Sequence, residues 1–253
     1  MSRKLLFLFI IFAALGIITA KFIFSFFNDT ATSTSNTFAA AAEFPTPIPS
    51  TTPTPGPTST PGVTPTPQVA NHPVISEVQI HGSNANEDFI ELYNPTNSVI
   101  SLNGWQLKLK NSNGTIESVV LISSGSLPSH GFFLWASSKK NDYPATIGAD
   151  ISTEQTLSEN YSLLLEDASD TPVDKVAWGN ATDPYVEGSP YSNNPATDQS
   201  IERKAYSSST ASTMISGSDV TKGNGYDSDN NVNDFIIRTP SQPQNTTSST
   251  ETP

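Results

Sequence analysis

Alternation with a period of two runs through the C-terminal two thirds of the chain. Trp105, Leu107 and Leu109 alternate with Gln106, Lys108 and Lys110, which puts the apolar side chains on one face of a strand. Between Pro73 and His81 the pattern places Val74, Val78 and Ile80 together on one face. Further strands are predicted at Phe89–Tyr93, Val99–Leu102, Ile116–Ile122, Phe132–Ala136, Tyr161–Glu166, Val173–Trp178, Ser200–Lys204 and Phe235–Arg238. Turn chemistry separates them. Asn94-Pro95 stops one strand, and Asn111-Ser112-Asn113-Gly114 reads as a hairpin connection in which Asn-Gly accepts positive φ. Many short strands at close spacing, with no amphipathic helix and no internal repeat among them, predict an all-β sandwich or barrel.

The N-terminal third has a different texture. Arg3 and Lys4 precede an apolar run from Leu5 to Ala20, followed by Lys21 and Phe22-Ile23-Phe24-Ser25-Phe26-Phe27. A basic start followed by an apolar stretch is read as an export segment. As a helix, residues 5–20 would reach ~24 Å, short of the ~30 Å hydrocarbon core; extension to Phe27 gives ~35 Å, with Lys21 snorkelling to the headgroups. Residues 1–27 therefore read as a signal-anchor, or as a signal peptide cleaved after small residues. Residues 28–70 read as a disordered linker rich in proline, threonine and serine. Proline removes donors and fixes φ, so polyproline II at ~3.1 Å per residue replaces helix and sheet, and the stretch acts as a spacer. Residues 71–245 hold the strands, and residues 246–253 read as a disordered polar tail.

Composition narrows the partners. Of 253 residues, 35% are hydrophobic and 20 are proline, so the apolar core must come from the strand-rich region. Lys and Arg number 12 against 24 acids, a formal charge of −12, which opposes binding to a phosphate backbone, so no nucleic acid partner is expected. Zero cysteine excludes a disulfide scaffold, a thiolate metal site and a cysteine nucleophile.

The strand blocks are also recognisable. Ile75-Ser76-Glu77-Val78, Asp88-Phe89-Ile90-Glu91-Leu92-Tyr93-Asn94-Pro95-Thr96 and Ile100-Ser101-Leu102-Asn103-Gly104-Trp105-Gln106-Leu107 resemble the lamin-tail domain family, here of the bacterial exported or anchored type. Leu127-Pro128 with Gly131-Phe132-Phe133-Leu134, Ser200-Ile201-Glu202-Arg203, and Asp227 to Asn231 with Asp234-Phe235 and Pro243-Gln244-Asn245 fit as well. The resemblance spans Pro73 to Asn245 and implies an immunoglobulin-like β-sandwich. Ser137–Glu159 and Ser207–Gly225 are longer than a compact version needs. The expected filling between the sheets is Trp105, Leu107, Leu109, Ile90, Leu92, Phe133, Trp135, Leu163, Leu165 and Trp178, held by burial alone because no disulfide is available; Trp105→Ala is expected to cost about 3–5 kcal/mol.

Candidate chemistry is sparse. Asp227, Asp229 and Asn231 offer oxygen ligands at alternate positions and form a calcium candidate, although Val232 and Arg238 stand where an EF-hand needs glycine and glutamate. The alternative is an Asx-rich turn bonding its own backbone. Glu87, Asp88 and Glu91 are acidic neighbours without the spacing of a catalytic pair, and a structural role for Glu91 in the sheet is expected. His72, His81 and His130 fit no metal spacing. Tyr185, Tyr191 and Tyr206, with Trp178 nearby, either stack on sugars or cap one end of the body. No catalytic residue, other cofactor or nucleophile motif is identified. The expected protein is thus a non-enzymatic extracellular module, tethered to the cell membrane through a single pass with the C-terminal domain outside, or secreted. Its partner would be an envelope polymer or a surface protein. The alternative is an accessory domain acting in trans with an exported hydrolase or nuclease.

Overall fold

The computed structural model describes residues 68–140 and 142–253. The export segment and nearly all of the linker inferred above lie outside the described residues, within which no helix is long and apolar enough to cross a membrane.

Among the described residues twelve strands form: β1 (Val74–Gln79), β2 (Phe89–Tyr93), β3 (Ile100–Ser101), β4 (Gln106–Lys110), β5 (Ile116–Leu121), β6 (Ser126–Leu127), β7 (Phe132–Ser137), β8 (Ile151–Thr153), β9 (Ser162–Glu166), β10 (Pro172–Ala177), β11 (Ser200–Arg203) and β12 (Phe235–Arg238). Short helices α1 (Tyr143–Ile147), α2 (Ala211–Ser216) and α3 (Asn231–Asp234) punctuate the loops. One sheet runs β12-β11-β1-β2-β7-β8, a second β10-β9-β4-β5, and β3 pairs with β6. Pairing is antiparallel except between β7 and β8. This is an immunoglobulin-like sandwich. The long stretches noted in the sequence hold α1 and β8, and α2.

The two sheets bury Ile75, Val78, Ile90, Leu92, Trp135 and Ile201 from the larger one against Leu107, Leu109, Leu163, Leu165 and Val176 from the smaller. Nine of the ten expected core residues are buried there. Trp105 is the exception: it precedes β4, bonds Leu102 O through its amide at 3.0 Å, and only half-buries its ring against the core rim.

Strand β1 departs from simple alternation. Ile75 pairs with Leu92 but Glu77 with Glu91, so Ser76 is an extra residue without an opposite number. The bulge shifts the phase of the pleat. Ile75, Val78 and Ile80 enter the core, whereas Val74, expected beside Val78, turns to the opposite face and packs on Tyr93 and Phe132.

Every residue of β1, β2 and β7 is buried, because the outer face of the larger sheet is covered too. Tyr143 and Ile147 of α1 pack on Phe89, Leu134 and Ala136. The C-terminal chain covers the rest. Residues 246–253, read from composition as a disordered tail, run back over the body: Thr246 Oγ1 donates to Asp150 Oδ1 at 2.5 Å, Glu251 N to His130 O at 2.8 Å, Gly223 N to Thr252 O at 3.1 Å, and Tyr93 Oη to Glu251 O. Polar side chains do not require a tail to stay in water when backbone groups along its route can be satisfied.

Candidate functional site

Two buried polar clusters flank the larger sheet, built from charged residues of its strands together with residues of β10 and the loops. The first centres on Arg203 of β11, wholly buried. Its Nη2 donates to both carboxylate oxygens of Asp174 at 2.9 Å, Nη1 to Asp227 Oδ1 and Tyr226 O at 3.2 Å, and Nε to Ile75 O at 3.0 Å. Asp234 Oδ2 stands 3.9 Å from Nη1, and the Phe235 ring lies 4.8 Å from the guanidinium carbon. Asp174 belongs to β10 of the smaller sheet and also accepts from Ile75 N at 2.6 Å. A buried ion pair, with one guanidinium nitrogen shared between both carboxylate oxygens, therefore ties one sheet to the other, in a fold that was expected to rely on apolar burial alone. Burial lifts the Asp174 carboxyl to about 6 against the pull of Arg203. Burial acts to lower the Arg203 guanidinium, but the surrounding carboxylates, Asp174 foremost, outweigh it and hold the group above its ordinary value.

Glu187, from the loop after β10, completes this cluster. One oxygen each of Asp174, Glu187 and Asp227 lie within 4.8 Å of one another. Glu187 Oε2 is sealed from solvent without a hydrogen-bond partner, and burial followed by the charges of Asp174 and Asp227 pushes its carboxyl to about 8. Oxygen donors of this kind suit a hard cation. However, both Asp174 oxygens already accept from Arg203 and one also from Ile75 N, so the guanidinium fills the cationic role.

Of the three residues read as calcium ligands, only Asp227 joins this group. Asp229 is exposed at φ 54°. Asn231, fully buried, is spent on backbone: Oδ1 accepts from Ala177 N at 3.0 Å and Nδ2 donates to Lys175 O at 2.9 Å. The remainder of the motif bonds itself, with Asp234 accepting from Ser228 Oγ at 2.5 Å and Asn230 N at 3.3 Å. The Asx-rich turn is the arrangement seen, and it docks the start of α3 on β10.

The second cluster is a row of glutamates. Glu202, Glu77 and Glu91 lie in register across β11, β1 and β2, beneath the C-terminal chain. Glu91 accepts from Ser76 Oγ at 2.6 Å and Gln244 N at 2.7 Å; Glu77 accepts from Ser200 Oγ at 2.5 Å and Gln242 N at 3.0 Å. Arg238 Nη1 bonds both oxygens of Glu202 at 2.8 Å. Burial first, then the neighbouring Glu202, pushes the Glu77 carboxyl to about 8; burial and Glu77 hold Glu91 well above the usual range. Glu91 thus has the structural role expected of it.

The remaining candidates disperse. Glu87 accepts from Asn84 N at 2.9 Å, Asp88 accepts from Leu157 N at 2.9 Å, and neither shares a cleft with Glu91. His72 Nε2 is 3.7 Å from Asp227 Oδ2, His130 Nε2 is 2.9 Å from Asn97 Oδ1, and His81 lines a polar cleft with Asn84, Thr156 and Tyr161. Tyr185 is buried and Tyr191 packs on the core rim, so these aromatics cap the body.

Residues 66–180 match the family model described as the lamin tail domain. That segment is a lamin tail domain. No curated protein matches the chain. The lamin tail domain match takes in β1 to β10, including Asp174, whereas Arg203, Glu187 and Asp227 come from the chain beyond it. The intersheet tie therefore joins the matched segment to the strands that complete the larger sheet. Sequence reasoning missed Asp174 and Arg203 as partners; the available signal was an adjacent pair of charged residues within each strand, Asp174-Lys175 in β10 and Glu202-Arg203 in β11.

Proposed function

We propose that this chain is a non-enzymatic display module that carries a lamin-tail sandwich outside the cell on a proline-rich stalk anchored by residues 1–27. The lamin-tail assignment supports a structural or binding role. The observation that carries the reading is the use made of the titratable groups. Each buried carboxylate of the two clusters except Glu187 bonds a serine, an arginine or a backbone amide within the fold. None is paired with a nucleophile or base facing a cleft, as proton transfer would require. The basic start and apolar run of the first residues support export, and the alternating proline and threonine of residues 45–67 support a spacer. The partner proposed is an envelope polymer or a surface protein, met through loops.

Protease treatment of intact cells tests the display. With a tag inserted in the Asn111–Gly114 hairpin of the full chain, external protease removes the tag without lysis; a tag protected until the membrane is broken overturns the reading. Envelope fractions passed over the immobilised full chain then test for a bound partner.

A further inference from the structure

We infer that a recess on the outer face of the smaller sheet is a binding site for a single unit of a neutral saccharide. This deepens the display reading by naming the chemistry of the partner. The recess has a volume of about 210 Å³ and is lined by Lys110, Asn111, Ser112, Asn160, Ser162 and Asn180, with Ala181 and Thr182. Ser162 pairs directly with Lys110 across β9 and β4, so both side chains leave the sheet on the same face. That face is the outer one, because Leu107 and Leu109 point into the core. Ser162 is 1% exposed, and its hydroxyl has no hydrogen-bond partner. A buried hydroxyl without a partner is uncommon and asks for one.

The rest of the lining decides what that partner is. Lys110 is the one charged residue, and its ammonium has three donors. They meet Thr182 O at 3.0 Å, Thr182 Oγ1 at 2.7 Å and Asp183 O. The lysine has no donor left for an anion, and a chain of net charge −12 repels one. Ala181 is the sole apolar residue, which disfavours a hydrophobic ligand. Asn111 is likewise spent, its Oδ1 accepting from Asn113 N and Thr115 N and its Nδ2 donating to Glu117 Oε1, and Asn160 Oδ1 accepts from Asn180 N. What remains are the Ser112 and Ser162 hydroxyls, the Asn180 amide and Asn160 Nδ2, a mix of donors and acceptors that matches the hydroxyls of a sugar ring. The volume falls below the roughly 300–1,000 Å³ of sites for larger ligands, so one ring fits rather than a chain.

Saturation-transfer NMR on the full chain, held in a non-glycosidic detergent, tests the site. The neutral probes are cellotriose and methyl N-acetylglucosaminide; trigalacturonate is the anionic comparison. Transfer to a neutral probe is expected, weakened roughly five- to tenfold in S162A, the loss of about one hydrogen bond. The variant should melt no lower than the parent, since it removes an unpartnered group. Absence of transfer to both neutral probes, transfer to trigalacturonate alone, unchanged binding by S162A, or a lower melting temperature of S162A would each overturn the assignment. The readout uses purified protein, so it stands apart from the protease test: binding by a chain found inside the cell would sink the display reading alone.

Discussion

Asp174 and Arg203 make the clearest case at the scale of single residues. Each is fully buried, and each satisfies the other. A buried ion pair adds little net stability over a well-packed apolar pair, but removing one member strands the other charge at a cost of about 3–5 kcal/mol. Asp174→Asn should therefore lower the urea denaturation free energy by about that amount. Arg203→Met should cost more than Asp174→Asn, because Asp227 and Asp234 then lose their cation as well; an equal or smaller loss would show that the guanidinium does not serve the whole cluster. Trp105 needs revision in the other direction. Because its ring is half-exposed, Trp105→Ala should cost about 1–2 kcal/mol, against about 3–5 for the fully buried Trp135→Ala. Equal midpoints for the two variants would contradict the burial described. Calcium should leave the melting temperature unchanged, since Arg203 already bonds both oxygens of Asp174; a rise of several degrees at millimolar calcium would place a cation among Asp174, Glu187 and Asp227.

At the scale of elements, the glutamate row beneath the C-terminal chain sets a pH dependence. Folded Glu77 holds its proton up to about pH 8 and Glu91 beyond the usual range, whereas unfolded carboxyls release theirs near 4.5. The folded state thus binds more protons between these values, and its stability falls as pH rises through that window. The contribution is complete below about 4.5 and lost through about 8. Around the row stand Glu202 and Glu251, with Arg238 as the positive charge. Thermal melts between pH 5 and 9 should fall toward the alkaline side, and E77Q/E91Q should flatten the slope. Deleting residues 246–253 should cost about 1–3 kcal/mol, the net worth of a few hydrogen bonds, measured by the same melts.

What could be read in advance divides along physical lines at this scale as well. β4 was legible because one face meets the core and the other meets water. β1 was not, because it is buried on both faces and Ser76 breaks its phase. β6 and β8 are too short to carry a period. Asp174 and Arg203 meet across two sheets, and no local pattern encodes a contact between strands of different sheets. The Asp227–Asp234 stretch was visible as a motif, but nothing local showed that Asp227 bonds Arg203 while Asp234 bonds the turn itself.

At the scale of the whole molecule, the sandwich lacks a disulfide and is fastened at two places instead: between the sheets by Arg203, and over the outer face by the returning C-terminal chain. The first fastening bears on how the body takes mechanical load. Ala70 N bonds Gly225 O at 2.9 Å, and Asp227 N bonds Gln68 O at 3.1 Å. Tension arriving along the chain from its proline-rich side is thus delivered to Asp227 before it reaches β1. From Asp227 it passes to the guanidinium and on to Asp174 in the opposite sheet. Tension applied ahead of Gln68 would then draw on both halves of the sandwich together rather than peel one strand from its edge.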